Sequence, residues 1–133
     1  MKALSIQEPW AALIAAGVKS IETRSWRTAY RGPLYIHAFR AKVDQKDPHI
    51  QRLLSLLPEG SLHPGFVVCR CVLKDCLPMD ESFLGWIEAH PLEKLCGEYA
   101  PGRFAWVLEQ VEPLEAPVAA KGHLSLWEWE PSP

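Results

Sequence analysis

The sequence lacks long hydrophobic runs, and it has few cysteines. No apolar stretch approaches the roughly 20 residues that a membrane-spanning helix needs, so we expect no membrane partner. Residues 1–6 are followed by the polar Gln7-Glu8 pair and Pro9, so we expect no signal-peptide core either. The four cysteines, without an export signal, are predicted to be reduced thiols in a cytoplasmic protein.

Motifs for metals, nucleotide cofactors and nucleophilic catalysis are also missing. There is no phosphate-binding P-loop, no dinucleotide fingerprint and no G-x-S-x-G elbow. Cys69 and Cys71 stand two apart, which suits neither a disulfide nor a zinc knuckle. Cys76, His90 and Cys96 match no familiar zinc spacing. We therefore expect neither a metal nor a cofactor.

The composition indicates one soluble globular domain over residues 1–133. Of its residues 48% are hydrophobic and 23% charged, and a chain of this length buries a core without disulfides. The twelve prolines exclude a helical bundle and indicate short elements. We predict strands over residues 3–6, 21–26, 33–39, 66–76, 104–111 and 126–129, and helices beginning near Pro9, Asp47 and Asp80. The predicted fold is α+β, a small barrel with two or three peripheral helices.

The charge is unevenly distributed along the chain. The net charge of −2 argues against a nucleic-acid binder, but residues 19–46 carry seven Lys or Arg against two acids, a local charge of +5. Residues 75–133 carry eleven acids against three bases, a local charge of −8. Such asymmetry is typical of a protein with an anionic partner on one face. We expect residues 19–46 to present one basic face beside a binding cleft.

Charged and hydrogen-bonding side chains are most concentrated between Gly17 and Trp26. On a strand, Glu22 and Arg24 share a face because side chains alternate, and Lys19 lies at the turn before it, where a long side chain could swing towards a ligand. Such a cluster could hold a phosphate, a base edge or a polarised carbonyl. The alternative is a surface Glu22–Arg24 pair with a solvated lysine.

Aromatic residues interleave with these charges. Trp26, between Ser25 and Arg27, is the best candidate for a ring that stacks on a base, whereas most of the six tryptophans are expected in the core. His37, in the middle of a predicted strand, either points into a polar pocket or is a core histidine with satisfied hydrogen bonds, which we favour.

These motifs resemble a known family. The segments that carry the resemblance are Leu4-Ser5-Ile6-Gln7-Glu8-Pro9-Trp10-Ala11, Gly17-x-Lys19-x-x-Glu22-x-Arg24-x-Trp26, Arg31-Gly32-Pro33-Leu34-Tyr35-Ile36-His37, Phe104-x-Trp106-x-Leu108-Glu109 and Lys121-Gly122. Together they resemble the ASCH (activating signal cointegrator homology) domain family of the PUA-like superfamily, over nearly the whole chain.

The resemblance implies a PUA-like β-barrel with a cleft beside the first helix. Relatives of that fold bind RNA, and some hold a single modified base. The ligand-binding residues implied are Gln7, Lys19, Glu22, Arg24, Ser25, Trp26, Arg31 and Lys121. The leading hypothesis is a monomer that binds nucleic acid, RNA ahead of DNA, or a modified nucleoside.

Two alternatives belong to other classes of function. A compact subgroup that this chain resembles more distantly hydrolyses N(4)-acetylated cytidine nucleosides, and in such an amidohydrolase Lys19 and Glu22 would be the catalytic residues. That subgroup has a threonine where this chain has Glu22. The other alternative is a protein-interaction domain whose cleft is vestigial.

Overall fold

The chain forms six strands and four helices within residues 1–131, which a computed structural model describes. In chain order these are β1 (Lys2–Ile6), α1 (Trp10–Ala15), β2 (Ile21–Arg24), β3 (Gly32–Ala38), α2 (Pro48–Leu54), β4 (Phe66–Pro78), α3 (Glu81–Glu88), α4 (Pro91–Leu95), β5 (Phe104–Ala119) and β6 (Leu126–Glu128). None of these helices is long and apolar enough to cross a membrane.

All six strands belong to one curled sheet. Its order is β2-β5-β4-β3-β1-β6, and every neighbouring pair is antiparallel except β1 with β3. The curl brings the edge strand β2 back towards β1, so that Arg24 hydrogen-bonds the backbone of Ser5. The predicted α+β fold, consistent with a small PUA-like barrel, is confirmed.

The core fills the inside of the curl and is closed by α1. Apolar side chains of α1 at helical spacing, among them Ala11 and Ile14, pack against buried residues of the central strands, including Leu34, Ile36 and Trp106. On its other side α1 contacts α2 through a smaller cluster of buried side chains, which are Leu13, Ile50, Leu53 and Cys96. Helix α1 is therefore held on both sides, and the segments flanking it are fixed in place.

Two elements differ from the sequence prediction. Strand β5 continues to Ala119 rather than ending at Val111, and it contains Pro113 and Pro117. Strand β2 covers the other edge of β5 only over residues 104–107, so the missing proline N–H groups disrupt no ladder on that side. Helix α4 was not predicted, so that the described residues contain four helices rather than two or three.

The four cysteines are free, buried thiols. Burial raises the pKa of Cys71 to about 12 and that of Cys69 further, which keeps both thiols protonated and unreactive. Within residues 1–131, no group of three or more His, Cys, Asp or Glu side chains could hold a metal ion.

A buried carboxylate fixes the start of α1. Glu8 is 1% exposed, and its Oε1 accepts a hydrogen bond from the Ala12 N–H at 2.8 Å. Its Oε2 accepts one from the His63 N–H at 2.9 Å, in the loop before β4. Burial raises the pKa of Glu8 above its ordinary value of 4.5, against the lowering effect of these two donors.

We predict that Glu8→Ala lowers the free energy of unfolding by roughly 2–4 kcal/mol, since the buried N–H of Ala12 and the half-buried N–H of His63 lose their acceptors. Glu8→Gln keeps one acceptor and should cost less. The pKa of Glu8 is higher in the folded protein than its ordinary value of 4.5. Relative to Glu8→Gln, the wild type therefore loses stability as the pH rises from 4.5 through the higher pKa of the folded state. Urea denaturation across this pH range measures both effects. A pH-independent difference between wild type and Glu8→Gln would contradict the second.

Candidate functional site

A cavity opens where the sheet curls back between β1 and β2. Its volume is about 660 Å³, and its walls come from β1, the start of α1, β2 and the segment between α4 and β5. We call it the first cavity; the residues of the predicted site that line it are Gln7, Lys19, Glu22, Arg24, Ser25 and Trp26.

Lys19 is buried in the wall of the first cavity. Its side chain is 1% exposed, and Nζ donates to the carbonyl oxygens of Ile21 at 2.6 Å and Cys96 at 2.7 Å. Glu22 Oε1 lies 3.6 Å from the same Nζ. Three oxygens thus surround the three N–H bonds of the ammonium group. The expectation of a side chain that swings towards a ligand is wrong, because these acceptors hold Lys19 in place.

Glu22 connects Lys19 to Arg24. Its Oε2 accepts from Arg24 Nε at 3.1 Å and lies 2.9 Å from Nη2, which also donates to the Ser5 carbonyl at 3.1 Å. The ion pair that the alternative interpretation expected is therefore formed, but the Glu22 side chain is only 9% exposed and lies in the cavity wall. Arg24 keeps 23% of its side chain exposed and is the member of this network that a ligand can reach.

Tryptophan rings form another part of the wall. Trp26 is half-buried, and its ring packs edge-on against Trp106 with 4.7 Å between centroids. The indole of Trp106 donates to the Trp26 carbonyl at 3.3 Å. Trp10, at the start of α1, also lines the first cavity. The buried ring of Trp106 thus supports the exposed part of Trp26.

The structure does not gather all predicted site residues. Lys121 lines a neighbouring cavity, and Arg31 lines neither one. The Arg31 guanidinium donates to the Thr28 and Tyr30 carbonyls at 2.9 and 2.8 Å and lies 3.5 Å from Asp75. It therefore stabilises its own turn.

Only part of the basic segment 19–46 lies at the two cavities. Of their seven Lys and Arg residues, Lys19, Arg24 and Arg40 line a cavity. The other four, which are Arg27, Arg31, Lys42 and Lys46, line neither cavity. Fewer than half of the basic residues in this segment therefore lie beside a cavity.

The sequence did not predict that the segment after α4 forms a wall of the first cavity. Cys96 supplies an acceptor to Lys19 across 77 positions of the chain. A Cβ on Gly97 would stand 2.7 Å from the Tyr99 ring and 3.0 Å from Thr23, so glycine permits this close packing on β2. Arg103, which lines the cavity, donates to the Glu98 carbonyl at 3.0 Å. No local motif marks these residues.

A second cavity, of about 1160 Å³, lies beside the first. It is lined by the end of β3, Arg40, Gly65 and residues 119–125. In its wall, the buried His37 has Nδ1 3.0 Å from Ser5 Oγ and Nε2 2.8 Å from the Ala120 carbonyl. The tautomer that satisfies both contacts donates from Nε2. Burial lowers the pKa of His37, as fits the predicted core histidine with satisfied hydrogen bonds.

The curled sheet and the Lys–Glu–Arg network define a small α+β barrel with a ligand-sized cavity beside its first helix. The family model of the ASCH domain matches residues 4–118, and the chain belongs to this family.

A stretch of 81 residues is 37% identical to Activating signal cointegrator 1 of Homo sapiens, and one of 81 residues is 51% identical to that of Mus musculus. Each match covers 56% of this chain and 14% of the relative, so this chain corresponds to a small part of those proteins.

We predict that Lys19→Met lowers the free energy of unfolding by about 3–5 kcal/mol, because it leaves two buried carbonyls without a donor and Glu22 without one cation. In the double variant Lys19→Met/Glu22→Gln, the loss in free energy of unfolding should be smaller than the sum of the losses in the two single variants. Urea denaturation measures all three variants. A cost for Lys19→Met no larger than that of the exposed Lys46→Met would contradict a structural role for this ammonium group.

Proposed function

We propose that this chain binds nucleic acid, RNA in preference to DNA, at the first cavity. The observation that carries the proposal is Arg24, whose guanidinium is oriented by Glu22 and the Ser5 carbonyl but keeps an exposed face towards the cavity. Because Nε and Nη2 are bonded to Glu22 and Ser5, the Nη1 group of this fixed guanidinium is left to donate to a phosphate oxygen or to an acceptor on a base edge. Membership of the ASCH family supports it, because relatives of the PUA-like fold bind RNA.

The tryptophans add the second component that a nucleic-acid site needs. Trp26 and Trp10 line the same cavity as Arg24, and a base stacked on an aromatic ring gains roughly 1–3 kcal/mol. Because the whole chain carries a net charge of −2, binding depends on the local field of the cavities and should weaken steeply with salt.

We expect Arg24→Gln to weaken binding of a labelled single-stranded RNA about ten-fold at about 50 mM salt, measured by fluorescence anisotropy. The matched control is Arg52→Gln, at an exposed position in α2, which should bind like the wild type. Arg31→Gln should resemble this control, since Arg31 lines neither cavity. Wild-type protein that retains neither RNA nor DNA overturns the proposal, as does an equal loss in Arg24→Gln and Arg52→Gln.

Amide hydrolysis is the competing hypothesis, and the geometry disfavours it. A lysine that attacks a substrate or activates water needs a free amine, but Lys19 Nζ is bound to two carbonyls beside Glu22. Glu22 in turn is occupied by Arg24.

We therefore expect no release of cytidine when the protein is incubated with N(4)-acetylcytidine and followed by liquid chromatography. Turnover that disappears in Glu22→Gln and persists in Lys46→Met would establish the amidohydrolase instead.

A further inference from the structure

We propose that the second cavity holds the neighbouring nucleotide of the same strand, so that the smallest complete ligand is two nucleotides joined by a phosphodiester. This inference rests on the proposed function and extends it to the second cavity, whose lining includes Arg24 and Lys121 of the residues that the resemblance implies. It makes the ligand a strand rather than a free nucleoside.

The two cavities adjoin each other. Ser5, Arg24 and Phe39 line both of them, so a ligand that occupies both cavities would pass these three residues. Arg24 lines both cavities, and 23% of its side chain is exposed. A phosphodiester that joins a base in the first cavity to the next nucleotide would pass this guanidinium.

The second cavity carries the unneutralised positive charge. Its lining includes Arg40 and Lys121 as well as Arg24, which is paired with Glu22, and no Asp or Glu is among its lining residues within 1–131. In the same part of the chain Arg40 and Lys121 take part in no ion pair. The first cavity, in contrast, contains Glu22 and Glu98. A phosphate is therefore favoured in the second cavity, where no carboxylate competes for the cations.

Close contacts and a hydrogen bond hold the backbone around these cations. Gly65 has φ +90°, and a Cβ there would stand 3.3 Å from Arg40 Nη2, so the guanidinium lies against the glycine. Across the cavity, the Ala120 carbonyl accepts from His37, and a Cβ on Gly122 would stand 2.6 Å from Ser5 Oγ. Such close packing leaves less to order on binding, which favours affinity.

Phe39 provides an aromatic surface at the junction. Phe39 is the residue directly after β3. It is 37% exposed, although its side chain is large and apolar. Because it lines both cavities, a base on either side of the phosphodiester can stack on it. Cations and an exposed ring in one groove are the combination that binds single-stranded nucleic acid.

The test compares charge and stacking variants by fluorescence anisotropy with a labelled, mixed-sequence RNA octanucleotide over a range of salt. Arg40→Gln and Lys121→Gln should each weaken binding by about ten-fold and lower the salt slope by about one. Phe39→Ala should weaken binding by a similar factor and leave the salt slope unchanged, because it removes stacking and no charge. The controls are Lys46→Gln and Arg52→Gln, which neutralise exposed residues outside both cavities.

Two results separate this inference from the proposed function. If Arg24→Gln weakens binding but the Arg40→Gln/Lys121→Gln double variant binds like the wild type with the same salt slope, the second cavity is not part of the site and the inference is overturned. If the wild type binds no RNA or DNA at all, the proposed function itself fails. Octanucleotides whose phosphodiesters are replaced by neutral methylphosphonates should lose the difference between wild type and double variant; a difference that persists also overturns the inference.

Discussion

The buried ammonium group of Lys19 is the constraint on which the site depends. Moving such a charge out of water costs several kcal/mol, so it is tolerated only where acceptors surround it. The acceptors come from Ile21, from Glu22 and from Cys96, 77 positions away. This requirement joins the turn after α1, strand β2 and the end of α4 into one wall. Because Glu22 also binds Arg24, and Arg24 binds the Ser5 backbone, the wall extends to β1.

The members of the motif differ in how far protein partners occupy their polar atoms. Lys19 and Glu22 have their polar atoms occupied by protein partners, whereas Arg24 is oriented by Glu22 and keeps an exposed face. Charge that is free to meet an anion lies further along, at Arg40 and Lys121 in the second cavity.

Most elements follow from local patterns, and the exceptions have physical causes. The strand through Glu22 and Arg24 is predictable because alternation places both on one face, and both do line the first cavity. The extension of β5 through Pro113 is not predictable in this way. A proline indicates the end of a strand unless it is known that one edge of the strand is unpaired there. Arg31 matches the family motif, but its guanidinium stabilises its own turn instead of lining a cavity.

The sequence by itself determined the α+β barrel, the family and the segment that carries the first cavity, because hydrophobic periodicity and motif spacing are properties of the chain. Only the tertiary structure decided that Lys19 is buried rather than mobile, and that Cys96 and Arg103 complete the wall. It also decided which basic residues of 19–46 reach a cavity. The reason is physical: burial and charge pairing depend on which distant segments meet when the sheet curls, and linear charge counts contain no such information.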